Sequence, residues 1–125
     1  MDKATKLTLD ELIRRKEQIL ADKRRAETAE VYVKSLNGSV IIKAPSNDVL
    51  ADISGMSNED VNKYVVYECV ISPRLKNTEL HEAFECAAPM DIVDKLFLPG
   101  EAAKIAQKCI DLAGFDDEHI QTVKN

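Results

Sequence analysis

Tryptophan is absent from this chain, and Phe, Tyr and Trp together make up only 5% of its residues. Aliphatic side chains must therefore fill the core, and an apolar content of 45% is sufficient for one. No apolar run approaches the roughly 20 residues that a membrane-spanning helix needs. The N-terminus has no apolar segment of the kind found in secretory signal peptides. We therefore expect no association with membranes and a location in the cytoplasm.

Histidine, glycine and cysteine are also scarce, which limits the chemistry open to the chain. The two histidines, His81 and His119, lie in no recognisable motif, and the four glycines are isolated, so no phosphate-binding loop is expected. The cysteines at positions 69, 86 and 109 are too far apart for a paired metal-ligand motif, and reduced, buried thiols explain them best. We predict no catalytic residue, no metal site and no cofactor, and expect that the chain is not an enzyme.

The charge is acidic overall but unevenly distributed. The net charge at pH 7 is −5, yet residues 1–28 carry +2 and residues 29–125 carry −7. Because an acidic body repels the phosphate backbone, binding to nucleic acid is not expected. Two basic clusters, Arg14–Lys16 and Lys23–Arg25, fit either the solvated face of a helix or a contact with an acidic partner.

The length of 125 residues fits a single domain, because one hydrophobic core usually serves about 100–150 residues. We predict one domain over residues 1–125, with flexible ends at 1–7 and 116–125. The order of elements predicts an α+β fold that is mostly helical. It opens with a helix from Thr8 to about Ala26, since Glu11 follows Thr8 at the spacing of a capping box.

A β-hairpin is predicted at about residues 30–44. Two β-branched runs flank Asn37-Gly38, a pair typical of a two-residue type I′ turn, and that turn places Val33 opposite Ile42. Alternation then gives one apolar face, consisting of Val31, Val33, Val40 and Ile42, and one mixed face, consisting of Tyr32, Lys34, Ile41 and Lys43. We see no third strand, so the edges of the hairpin are expected to be open or paired with another chain.

A compact bundle of about five short helices is predicted after the hairpin. Their starts are marked by residues that cap or begin helices, namely Ser46 or Asn47, Ser57, Asn77, Pro89 and Pro99. In the second of them, the run Val65–Ile71 is also compatible with a strand, but the cap and the length favour a helix that Pro73 ends. The last helix is expected to end at Gly114 in a Schellman motif, with Phe115 against Ile110.

Three stretches in the second half form a distinctive pattern. They are Lys63–Asn77 (KYVVYECVISPRLKN), Pro89–Glu101 (PMDIVDKLFLPGE) and Ile105–Phe115, which ends in LAGF. Together they resemble the XkdN-like tail-assembly chaperones of long-tailed phages and defective prophages. The likeness covers about residues 60–115 and lies in pattern and spacing rather than in a catalytic signature, and the first 45 residues carry less of it.

This resemblance implies that the chain binds the tape-measure protein, a long helical protein around which the tail tube polymerises, and keeps it soluble during assembly. It also implies absence from the finished particle and a place in the cytoplasm of the host cell. A body with a net charge of −7 is compatible with that role, because a chaperone needs solubilising charge around its contact surface. The alternatives are a structural tail or head-completion component that stays in the virion and a small DNA-binding regulator, which the acidic charge opposes.

Two surfaces are candidates for binding a partner. One is the hairpin, whose mixed face carries Tyr32 and Ile41 and whose open edge allows strand addition, packing of a partner helix or self-association. The other is a short basic loop in which Arg74 and Lys76 flank Leu75. The preferred interpretation of this loop is a plain connector in which Leu75 plugs the core.

Overall fold

The computed structural model describes residues 6–24, 27–115 and 120, which fall into two compact units. The first contains two helices, α1 (Leu9–Arg14) and α2 (Lys16–Arg24). The Thr8 hydroxyl accepts a hydrogen bond from the Glu11 amide at 3.1 Å, which confirms the predicted helix start. The predicted helix is interrupted at Arg15, whose φ and ψ of −95° and 10° end α1.

The second unit, the body, contains an antiparallel sheet in the order β1-β2-β3. The strands are β1 (Thr28–Val33), β2 (Gly38–Lys43) and β3 (Val70–Ser72). The hairpin is confirmed, but the prediction of no third strand is wrong. β3 is only three residues long and follows directly on a helix, so no turn residue separates it from the helical pattern. Its pairing with β2 leaves β1 at the edge of the sheet.

The predicted hairpin register is also wrong. Val33 pairs with Gly38 rather than with Ile42, because the connection is a 3-10 turn over Lys34–Leu36 followed by Asn37. Asn37 takes the left-handed conformation, with φ of 51°, and the hairpin therefore has a four-residue loop. Partners move by an even number of residues, so each strand residue keeps its predicted face of the sheet. Lys34, which was predicted on the mixed face, lies in the loop instead.

Five helices follow β2 in the body, as predicted. They are α3 (Asn47–Asp52), α4 (Asn58–Cys69), α5 (Thr78–Ala83), α6 (Asp91–Leu96) and α7 (Pro99–Ile110). The first three are capped by the side chains of Ser46, Ser57 and Asn77, and Pro99 begins α7. These boundaries confirm four of the five helix starts read from the sequence, whereas the helix predicted from Pro89 begins two residues later, at Asp91.

Three helix ends differ from the prediction. α4 ends at Cys69 rather than continuing to Pro73, because Val70–Ser72 pair with β2 as strand β3. α5 stops four residues before Ala87, because Glu85 adopts φ of 53° and the Cys86 amide donates to His81 O at 2.9 Å, closing the last turn. α7 passes into a π-helical turn, Asp111–Phe115, in which Gly114 has the expected positive φ of 92°. Phe115 remains 63% exposed, so the predicted packing against Ile110 covers little of it.

The core lies between the apolar face of the sheet and the helices. Its buried residues include Val33, Val40 and Ile42 from the sheet and Val65, Val66, Cys69, Ile92, Val93, Ile105, Ala106 and Cys109 from the helices. α4 and α7 pack against each other at the centre of this cluster. The α+β, mostly helical fold is therefore confirmed, with aliphatic packing as the main stabilising contact.

Some predictions about the ends of the chain lie outside the described residues. Residues 1–5, the helix end at Ala26 and most of 116–125 belong to this group, so the single domain with flexible ends stays a prediction. Within residues 6–24 and 27–115, every helix is too short or too polar to cross a lipid bilayer.

Candidate functional site

The outer face of the sheet, which is turned away from the helices, carries the two predicted contact residues of the hairpin. Ile41 lies on β2 directly opposite Glu30 of β1, and Tyr32 lies two positions further along β1. Tyr32 and Ile41 are therefore diagonal neighbours on one face, within reach of each other's side chains. Tyr32 is 60% exposed and Ile41 is half-buried. The structure thus places these two predicted residues in one mixed patch.

The Tyr32 ring is held in place from the hairpin loop. Its hydroxyl donates a hydrogen bond to Asn37 Oδ1 at 2.8 Å. Because Asn37 occupies the left-handed position of the loop, this bond fixes both the ring and the turn. A fixed aromatic ring loses little conformational freedom when a partner covers it.

β3 extends this face at the other side of β2. Ser72 pairs with Ile41, while Val70 pairs with Ile42, so Ile71 is the extra residue of an irregularity in the ladder. Ile71 is 39% exposed. Sequence reasoning missed it because β3 itself was not recognised. The one indication of this strand in the sequence was the β-branched run Val65–Ile71, which includes Ile71.

The basic loop lies directly after β3, and its three predicted residues have different environments. Leu75 is only 1% exposed and belongs to the core, so its side chain is not presented to a partner. Leu75 therefore packs in the core, as expected if the loop is a connector. Arg74 is exposed. Of the three, only Arg74 and Lys76 lie at the surface.

Lys76 is held by contacts to two residues of α4. Its Nζ lies 2.8 Å from Glu68 Oε1 and 5.6 Å from the centre of the Tyr67 ring. Tyr67 in turn stacks on His81, with ring centres 6.3 Å apart. His81 Nε2 lies 2.6 Å from Leu75 O, and because a carbonyl only accepts, this nitrogen must donate. His81 thus has a structural role, fixing the loop to α5.

A groove along the free side of β1 was not predicted from the sequence. It has a volume of about 470 Å³ and lies between β1 and the C-terminal end of α7 with its π-helical turn. Its lining includes Val31, Ile42 and Leu112 as apolar residues and Lys108 and Asp111 as charged ones. We call it the β1–α7 groove. No local signal reveals it, because its two walls are nearly 80 residues apart in sequence.

Two of the three cysteines meet in the core. Cys69 on α4 and Cys109 on α7 are both fully buried. The neighbouring Cys69 thiol, together with burial, raises the pKa of the Cys109 thiol well above its ordinary value. A thiol held protonated in this way is a poor nucleophile. Among the described residues, no three His, Cys, Asp or Glu side chains are grouped so that they could hold a metal ion.

Comparison with known proteins connects this fold to a biological process. The model of a family described as phage XkdN-like tail assembly chaperone protein matches residues 50–125. The crystal structure of the protein yqbn is similar with a TM-score of 0.56 and 26% sequence identity, over 73% of this chain and 87% of that one. No curated protein matches the chain. Arg74 and Lys76 fall inside the family match, whereas Tyr32 and Ile41 precede it.

Proposed function

This chain belongs to the XkdN-like family of phage tail-assembly chaperones, and on that basis we propose that it binds the tape-measure protein and keeps it soluble during tail assembly. The chaperone acts in the host cytoplasm and leaves before the particle is complete. A long helical protein exposes apolar surface until the tail tube surrounds it. A small acidic partner that covers part of this surface prevents aggregation.

The observation that carries this proposal is the exposed patch on the outer sheet face. Tyr32 and Ile41 sit side by side on it, and Ile71 continues it on β3. Aromatic and aliphatic side chains of this kind supply most of the binding energy in protein interfaces. The sheet holds them rigidly, so contact with a partner costs little ordering of the chaperone.

The negative charge around the patch favours binding of a partner that carries basic residues. The region from residue 29 onward carries a net charge of −7, and Glu30 lies directly beside Ile41. Charge of one sign keeps copies of the chaperone apart and accelerates encounter with an oppositely charged segment. Arg74, exposed just beyond β3, offers a contact for an acidic position at the border of the interface.

The experiment is co-expression with the tape-measure protein of the same phage or prophage. The double variant Tyr32→Ser/Ile41→Ser should lower the soluble fraction of tape-measure protein and the amount that co-purifies with the chaperone. Phe84→Ser is the matched control, because Phe84 is also exposed but lies at the end of α5. If the folded double variant retains full activity, the outer sheet face is not the site.

The basic loop is tested separately. Charge reversal of Arg74 and Lys76 should weaken the complex only if the loop contacts the partner. Because Lys76 is paired with Glu68, Arg74→Glu alone is the cleaner variant. Unchanged binding by Arg74→Glu would leave the loop as a connector that positions Leu75.

Mass spectrometry of purified particles distinguishes the chaperone from a structural tail or head-completion component. We expect the chain in lysates of cells assembling tails and not in finished particles. Stoichiometric recovery of the chain from particles would contradict the proposed role.

A further inference from the structure

Among the described residues, β1 pairs with β2 alone and is therefore an edge strand with a row of outward-facing backbone groups. The Ala44 amide donates to Glu27 O at 2.9 Å, which sets the alternation of the ladder. In an antiparallel pair, every second residue turns its N–H and C=O towards the partner strand. The residues whose backbone groups point towards β2 are therefore Ala29, Val31 and Val33. Those whose groups point outward are Thr28, Glu30 and Tyr32.

The β1–α7 groove runs beside this free edge. α7 lies alongside β1 in the opposite direction, because Ser35, just after β1, bonds to Glu101 at the start of α7, whereas Ala29 shares the groove with Leu112 at its far end. Apolar atoms of Val31 and Leu112 line the groove next to the free edge of the strand. A segment placed there can pair its backbone with β1 and bury side chains against α7.

We propose that the β1–α7 groove accepts an extended segment of the tape-measure protein, which adds to β1 as a fourth strand of the sheet. This inference rests on the proposed function and specifies how binding occurs. The segment is about six residues long, matching β1, with apolar side chains at every second position. Those side chains enter the groove, and the alternate ones lie on the outer face beside Tyr32 and Glu30.

The charges near the edge favour a basic segment. Glu27, just before β1, and Glu30, within it, are exposed, and Asp111 lies on the opposite wall of the groove. Among the described residues that line the groove, Lys108 is the one basic side chain. A Lys or Arg placed opposite Glu30 in the added strand therefore forms a favourable cross-strand pair.

The same geometry disfavours a second copy of the chain as the occupant. Two β1 strands can pair antiparallel through all three outward-facing residues only in the register centred on Glu30. That register places Glu30 directly opposite Glu30 of the other copy, and like charges in this position destabilise a strand pair. Shifted registers use fewer of the backbone groups.

Amide hydrogen exchange of the full chain tests the inference directly. The probe is the tape-measure protein, co-purified with the chaperone. On complex formation, the amides of Thr28, Glu30 and Tyr32 should exchange at least about tenfold more slowly. The amides of Ala29 and Val31 should be protected in both states, since they already bond to β2.

The outcomes separate this inference from the proposed function. A complex without added protection at the three outward amides overturns strand addition and leaves tape-measure binding intact. Absence of a complex overturns both. Protection already present in the free chain, together with a dimeric mass, shows that a second copy occupies the edge and also overturns the inference.

A pair of variants at one position gives an independent test. Glu30→Pro removes an outward N–H without removing a bond to β2, and edge strands tolerate proline at such positions. It should weaken binding about tenfold, whereas Glu30→Ala, which keeps the N–H, should weaken it by no more than about threefold. Equal losses in the two variants overturn strand addition. If Glu30→Pro does not fold, the exchange experiment alone decides.

Discussion

Ser35 donates a hydrogen bond from Oγ to Glu101 Oε1 at 2.8 Å, joining the loop of the hairpin to the first turn of α7. The same carboxylate oxygen accepts the Leu98 amide at 2.9 Å, so Glu101 caps its own helix as well. This one side chain therefore ties the hairpin loop to the N-terminal turn of α7.

The contribution of Glu101 to stability should depend on pH. Hydrogen bonds from the Leu98 amide and from Ser35 hold the pKa of Glu101 below its ordinary value. A carboxyl whose pKa is lower in the folded state stabilises the fold above its unfolded pKa, about 4.3, and this contribution is lost as pH falls through the folded value. Glu101→Gln should therefore lower the thermal midpoint at pH 7 and have a smaller effect at pH 3.

Glu82→Gln is the matched control for this measurement, because Glu82 is an exposed carboxylate on α5. Its substitution should leave the pH dependence of thermal unfolding unchanged. If Glu101→Gln lowers the thermal midpoint by the same amount at pH 3 and at pH 7, the charge of Glu101 does not contribute to stability.

Leu75 and Arg74 are adjacent, but substitution should destabilise the fold strongly at Leu75 and very little at Arg74. Leu75 is buried in the core, so Leu75→Ala should lower the free energy of unfolding by about 2–5 kcal/mol. Arg74 is exposed, and Arg74→Ala should change it by no more than about 0.5 kcal/mol. Urea denaturation followed by circular dichroism checks both, and a loss below about 1 kcal/mol for Leu75→Ala would contradict its assigned role.

Helix starts could be predicted from the sequence because each depends on contacts between near neighbours. Ser46, Ser57 and Asn77 each accept a backbone N–H two or three residues further along. Such bonds form whatever the rest of the chain does. The face of each hairpin residue was predictable for a related reason, since alternation survives an even shift of register.

Contacts between distant segments could not be predicted in the same way. β3 pairs with β2 across nearly 30 residues, and three residues carry too little pattern to indicate it. The hairpin register failed because Asn37-Gly38 permits more than one loop, and here only Asn37 adopts the left-handed conformation. The candidate site shows the same division: Tyr32 and Ile41 follow from alternation, but the β1–α7 groove depends on how α7 packs beside the sheet.

The loop of the hairpin gives a prediction that isolates backbone strain. Asn37 has φ of 51°, which alanine adopts at a cost of about 1 kcal/mol or more and glycine adopts freely. Both Asn37→Ala and Asn37→Gly lose the hydrogen bond from Tyr32. The glycine variant should therefore be more stable than the alanine variant by about 1 kcal/mol in urea denaturation. Equal stabilities would show that the loop changes its conformation in one of the variants.

The cysteines should differ sharply in reactivity. Cys69 and Cys109 are fully buried, so neither thiol is accessible to a reagent in solution, and the raised pKa of Cys109 lowers its reactivity further. Cys86, just beyond the end of α5, is only half-buried. A thiol reagent such as dithionitrobenzoate should therefore label one cysteine in the folded chain and all three in denaturant. The Cys86→Ala variant is the control, because it should lose the fast phase and keep the slow one. Rapid labelling of two thiols in folded Cys86→Ala would mean that the contact between α4 and α7 opens readily, and the centre of the core would then be far less stable than its packing indicates.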